Sequence, residues 1–204
     1  MKTRNIMTKG LAGFVLLAMI LATGTVFAEE GKIPGVRGID HIGFTVPDMA
    51  QAIQFFQDVI GCQKALSFGP ISDPKGNFMQ DLVNVNPRAV INEITLMRCG
   101  DGSNVELFSY SSPDQKSVIP KNSDIGGHHI GFYVKDIKAA VDKARALGLK
   151  TMFGPFSVDG GPAAGQSMTY VLTPWGMQLE LISYPHDMAY SKTSPVKLWA
   201  PDAR

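Results

Sequence analysis

The sequence writes one pattern twice. DHIGFTV occupies 40–46 and HHIGFYV occupies 128–134. Each is followed by an Asp that can cap a helix, Asp48 and Asp136, then by an amphipathic stretch, then by a stopping glycine, Gly61 or Gly148. Ile53, Phe56 and Ile60 share one helical face in the first copy; Ala140, Val141, Ala144 and Leu147 do so in the second. The second part of each copy repeats too. ITLMRCGDGSNVELFSY (94–110) aligns without gaps to MTYVLTPWGMQLELISY (168–184), and both read as strand, Gly-containing turn, strand. A chain duplicated in this way folds as two copies of one supersecondary unit. Here the unit is strand, helix, strand, hairpin.

Residues 111–127 between the copies are polar with Pro and Gly and read as a linker. Residues 69–92 form a long excursion in the first copy, with a shorter Gly-rich counterpart at 154–166. Loops on a rigid scaffold often carry substrate contacts. The tail, 185–204, reads as largely irregular.

The first residues stand apart. Lys2, Arg4 and Lys9 precede a continuous apolar run over 11–22, and VFA at 26–28 supplies small residues for cleavage. The run is shorter than the roughly 20 residues needed to span a bilayer, so 1–28 reads as a secretory signal peptide. The expectation is a periplasmic or secreted protein with no stable membrane association after cleavage. Formal net charge is +1, which gives no sign of nucleic-acid binding. Cys62 and Cys99 are the two cysteines. Export would allow them to pair, but sequence does not give their separation.

The duplication puts four chemically capable residues in matching places. His41 and His129 open the first strands; Glu106 and Glu180 lie in NVELFSY and QLELISY on the last strands. On a pleated strand Val105, Leu107, Leu179 and Leu181 would face a core, and the two glutamates the other side, together with Thr45, Phe108 and Tyr133. A carboxylate among apolar strand residues needs a partner. Two imidazoles and two carboxylates form a donor set for one divalent metal ion, Ni, Co, Zn, Fe or Mn. Taken singly, each would read as a satisfied core residue; as two matched pairs they read as ligands. His128 alternates away from His129, and His186 lies in the tail, so both are read as lying outside the ligand set. Phe68, Phe108, Tyr133 and Tyr170 are aromatic residues that could line an apolar pocket or simply pack in the core.

These residues give the chain a clear likeness. From about 38 to 184 it resembles the vicinal oxygen chelate superfamily, which includes glyoxalase I, methylmalonyl-CoA epimerase, extradiol dioxygenases and the fosfomycin- and bleomycin-resistance proteins. The resemblance implies an α+β fold of two tandem βαβββ modules, 38–110 and 128–184, forming a cupped mixed sheet around a metal site. It implies His41, Glu106, His129 and Glu180 as metal ligands, with Glu106 and Glu180 also catalytic. Ligand order His, Glu, His, Glu resembles bacterial-type glyoxalase I. The places that hold glutathione in that enzyme carry Thr45 and Tyr110 here, so the metal site matches better than the substrate site. The expectation is a metal-dependent lyase or isomerase of glyoxalase type acting on a small oxygen-chelating substrate, with Thr45, Phe108, Tyr133 and Tyr170 lining its site. An extradiol-type dioxygenase and a non-catalytic small-molecule binding or resistance protein are the alternatives. Two complete modules permit a one-chain site; a homodimer is equally compatible.

Overall fold

The structure is a computed structural model that describes residues 33–201. The leader read over 1–28 lies outside the described residues. Residues 33–38 form a short irregular segment.

From residue 39 onward the first module begins with β1 (His41–Thr45). Helix α1 (Met49–Phe55) follows, and the Asp48 carboxylate accepts from the Gln51 N–H at its start. Such a cap is worth about 1 kcal/mol. The helix does not end at Phe55; it widens into a π-helical turn over Phe56–Ile60 and stops at Gly61, whose φ of 87° suits a residue without a side chain. Strands β2 (Gln63–Phe68) and β3 (Ile71–Ser72) come next. The long excursion then folds a short helix of its own, α2 (Phe78–Val83), before β4 (Val90–Arg98) and β5 (Asn104–Ser111) close the hairpin.

The second module is plainer. It runs β6 (Ile130–Tyr133), α3 (Ile137–Ala146), β7 (Phe156–Ser157), β8 (Ser167–Leu172) and β9 (Gln178–Ser183). Asp136 caps α3 through the Ala139 N–H, as Asp48 caps α1.

The chain is therefore α+β and duplicated, as its repeat requires. Within one chain, however, the cup is in two halves. The first sheet has the order β1-β5-β4-β2, with β3 also on β4; the second has the order β6-β9-β8-β7. In each, the first strand runs parallel to the last strand of its own module and antiparallel pairing supplies the rest. β1 and β6 are thus edge strands of separate sheets.

One core joins the modules. Phe44, Val105 and Leu107 from the first sheet and Ile130, Leu179 and Leu181 from the second belong to a single buried cluster. Phe56, fully buried, packs its ring 6.4 Å from Phe132 and 6.3 Å from Trp175, across the module boundary. A smaller cluster, centred on Met79, Ile91 and Ile94, tucks α2 against the first sheet with Leu96, Phe108 and Tyr110. Cys62 and Cys99 form a disulfide that ties the end of the π-turn to the end of β4. The described part of the tail is mostly irregular, with a 3-10 turn over Ala189–Lys192, and the Tyr184 hydroxyl donates to the Trp199 carbonyl. Among the described residues no helix is long and apolar enough to cross a membrane.

Candidate functional site

Strand pairing fixes where the four candidate ligands sit. β1 and β5 are in register with Gly43 opposite Glu106. β6 and β9 are in register with Gly131 opposite Glu180. Val105, Leu107, Leu179 and Leu181 face the shared core. By alternation, Glu106 and Glu180 lie on the faces that look away from it. His41 opens β1 and His129 immediately precedes β6, so each imidazole stands beside the glutamate of its own sheet. His41 Nε2 is 3.0 Å from Glu106 Oε2, and His129 Nε2 is 2.9 Å from Glu180 Oε2. The side chains of both glutamates are largely withdrawn from water, at 16% and 11% exposed, whereas those of the histidines are 40% and 35% exposed.

The structure brings together His41 with Glu106 and His129 with Glu180. It does not bring one pair to the other: among the described residues no three His, Cys, Asp or Glu side chains converge as a metal group. Each chain presents two half-sites, one per sheet, both turned outward from the helices and core.

The donor chemistry of each half suits a divalent cation. An imidazole nitrogen and a carboxylate oxygen converge on one spot, the carboxylate supplies negative charge, and the glutamate is mostly shielded from solvent. The first half also has a cradle. A Cβ at Gly43 would lie 3.3 Å from Glu106 Oε2 and 3.2 Å from the Phe108 ring. Gly43 therefore leaves the space in which the carboxylate and the ring stand. In the second half a Cβ at Gly131 would meet nothing within 4 Å.

The aromatic candidates divide between the two faces. Phe108 stacks on Tyr110 at 5.6 Å beside Glu106. Tyr170 meets the His129 ring edge-on at 5.2 Å, and Tyr133 meets Tyr184 at 4.9 Å. Burial and the neighbouring Glu106 raise the Tyr110 phenol above its ordinary pKa, and burial and Glu180 do the same for Tyr170. Both phenols thus remain protonated and can donate near a carboxylate. Phe68, half exposed, lies along β2 and pairs with Ile94. Thr45 sits farther along β1, in an open bay of about 490 Å³ shared with Tyr110, Asn84, Asn86, Gln115 and Lys116. Gln115 and Lys116 come from the segment read as a linker, so that segment also forms a wall.

His128 and His186 are exposed, and His128 donates through Nδ1 to the Gly126 carbonyl at 3.2 Å. Two neighbours of the ligand set were not singled out from sequence. Asp40 Oδ1 lies 2.8 Å from His41 Nδ1, and Asn122 Nδ2 lies 3.3 Å from His129 Nδ1. The Asp40 carboxylate, opposed by desolvation and reinforced by Glu106, raises the His41 pKa. Asp40 adjoins its histidine in sequence and could have been suspected. Asn122 lies seven residues from His129 in an irregular stretch, with no pattern to mark it.

The sequence matches the profile of the Glyoxalase/Bleomycin resistance protein/Dioxygenase superfamily over residues 40–172, more than half of the chain. The chain belongs to this superfamily. It is similar to a 2-epi-5-epi-valiolone epimerase from Actinomyces sp., with 39% identity over 171 residues that span 83% of this chain and 92% of that protein. Among solved structures, a glyoxalase-family protein from Bacillus cereus matches with a TM-score of 0.57 at 18% identity, covering 74% of this chain and 98% of its own. That likeness is one of fold.

Proposed function

We propose that this chain is a metal-dependent epimerase that inverts a C–H centre next to a carbonyl in a small oxygen-rich substrate. The observation that carries this reading is the repeated His–Glu pair, one on each half of a duplicated fold. The similarity to a 2-epi-5-epi-valiolone epimerase over nearly the whole of that protein supports the reaction class and names the first compound to assay.

Epimerisation needs a proton taken from one face of a carbon and another returned to the opposite face. A single carboxylate serves one face. Glu106 and Glu180, from opposed halves, would serve two, each loosening from the ion as it works: one takes the C–H proton, the other, protonated, gives one back, and the roles exchange in the reverse direction. His41, Glu106, His129 and Glu180 would hold the divalent ion; when bound it supplies positive charge against the oxyanion that forms as the C–H bond breaks. Phe108 and Tyr170, on the two faces, would exclude water from that exchange. Thr45 and Tyr133 complete the proposed lining.

The two pairs do not meet within one chain, so a second copy is part of the proposal. The His41 face of one protomer would lie against the His129 face of its partner. Because the pairing is reciprocal, a two-fold dimer holds two such sites. Export also belongs to this reading, supported by the basic-apolar leader and by the Cys62–Cys99 disulfide, which suits an oxidising compartment.

The test is epimerisation of 2-epi-5-epi-valiolone by the divalent-metal-loaded protein in D2O. Deuterium should enter at the carbon beside the carbonyl. Glu106→Gln and Glu180→Gln should each abolish inversion. Full inversion in both variants, or no solvent exchange by the wild type with this compound and related hydroxy-ketones, overturns the proposal.

A further inference from the structure

Among the described residues one buried side-chain polar atom has no hydrogen-bond partner, Nε1 of Trp175. A buried indole N–H usually finds an acceptor, and one left unpaired costs free energy. The ring itself is held. Trp175 sits in the turn between β8 and β9 and packs against Phe55 at 5.6 Å and Phe56 at 6.3 Å. The repeated unit does not call for an indole there: the aligned residue of the first copy is Asp101, which is exposed.

Trp175 lines a cavity of about 460 Å³. Small-molecule sites span roughly 300–1,000 Å³. Phe44 and Val46 of β1, Ile119 of the linker and Met177 give it apolar walls. Lys116 also lines it and forms no ion pair among the described residues. Among the described residues no Asp or Glu lines it. Thr45, Tyr110, Gln115 and Lys116 are shared with the bay beside Thr45, whereas Trp175, Phe44 and Ile119 belong to this cavity and not to the bay. Glu106 and Glu180 line neither.

An unused donor, an unpaired cation and apolar walls free of competing carboxylates complement one kind of molecule. We propose that this cavity binds a small monocarboxylate with an aryl or branched-alkyl body. A carboxylate oxygen accepts from Trp175 Nε1–H, Lys116 balances the charge, and the hydrocarbon body lies against Phe44, Val46 and Met177. A charged acceptor makes the stronger hydrogen bond. A bare inorganic anion would leave the apolar walls wet, and a neutral hydrocarbon would leave the indole unpaired. Because the walls come from β1, the linker and the β8–β9 turn, a bound acid ties the three together and raises the thermal midpoint.

The protein has two tryptophans, so nitrogen-labelled full chain gives two indole N–H resonances, and Trp199→Phe assigns them. 3-Phenylpropionate and isovalerate are titrated beside alcohols of the same shape, 3-phenylpropanol and isoamyl alcohol. Each acid should move the Trp175 resonance downfield in a saturable way and leave that of Trp199 in place. The alcohols should bind about tenfold more weakly, as should the acids to Lys116→Gln. Trp175→Phe keeps a ring and removes the donor. By calorimetry it should bind the acids at least about tenfold more weakly, while its own thermal midpoint holds, since no hydrogen bond within the protein is lost. A Trp175 resonance that stays put at roughly 100 mM acid, weaker than any specific site, overturns the proposal. So do equal affinities for acid and alcohol, or an unchanged acid affinity in either variant. Acid binding that requires added Co²⁺ would place the acid on the His–Glu pairs and overturn it as well. The site does not rest on the metal reading: a chain that takes up no Co²⁺ would sink that reading and leave these titrations to decide this one.

Discussion

Gly43 has no functional group, yet the proposed first half-site would depend on it. It stands opposite Glu106 on the neighbouring strand, and its missing side chain is the room in which Glu106 and Phe108 rest. In Gly43→Ala the new methyl meets the carboxylate and the ring at 3.2–3.3 Å, closer than ordinary van der Waals contact. The strand itself tolerates Ala, so the cost falls on the site. Co²⁺ affinity and turnover should each fall by about tenfold, from a displacement of a few tenths of an ångström in a ligand. The thermal midpoint should stay within a few degrees; a large fall would place the clash in the fold and not in the site. Residues of this kind were partly legible. The His41–Glu106 and His129–Glu180 pairings could be read because the repeat wrote each one twice and strand alternation put Val105, Leu107, Leu179 and Leu181 on the other face. Asp40 and Asn122 were not read, because their partnerships depend on ring orientation and on the path of an irregular segment.

At the level of elements, the Cys62–Cys99 disulfide links the helical part of the first module to its hairpin. Cys62 follows the π-turn; Cys99 comes just after β4 and begins the turn to β5. That turn holds β1 in place, through Ser103 Oγ donating to the Ile39 carbonyl at 2.9 Å and Asn104 donating to Asp40. The bond closes a loop with a sequence separation of 37. Closing a loop of this size restricts the unfolded chain by about 3–4 kcal/mol. Cys62→Ser/Cys99→Ser should therefore lower the thermal midpoint by roughly 6–12 °C. Calorimetry of the oxidised and reduced wild type beside the double variant checks this; coincident curves for all three would remove the staple from the account. The pairing itself was open in the sequence, since 37 residues say nothing about distance in space. The two helix caps were legible because an Asp before an apolar helical run acts locally. The widening of α1 into a π-turn was not: Phe55 and Phe56 there meet Phe132 and Trp175 of the other module, and tertiary packing selected the local geometry.

At the scale of the whole molecule, duplication was readable and the arrangement of its copies was not. A repeat of strand, helix, strand and hairpin specifies two modules. It leaves open whether the His–Glu faces of those modules meet within a chain, since either arrangement buries the same apolar strand faces. The deciding contacts are Phe55 and Phe56 of the first module against Phe132 of β6 and Trp175 of the β8–β9 turn, which leave the His–Glu faces on the other side of each sheet.

That outward placement has a genetic consequence. Consider two inactive alleles, His41→Ala in one and His129→Ala in the other, each damaging a different half. In the proposed two-fold dimer, each alone would give two sites that both lack a ligand. In a mixed dimer one site receives both lesions and its twin receives neither. Random exchange of subunits gives mixed dimers half the time, so the mixture should recover about a quarter of wild-type turnover from two dead parents. A site built within a single chain would recover nothing, and mixing two purified proteins is enough to tell the two architectures apart.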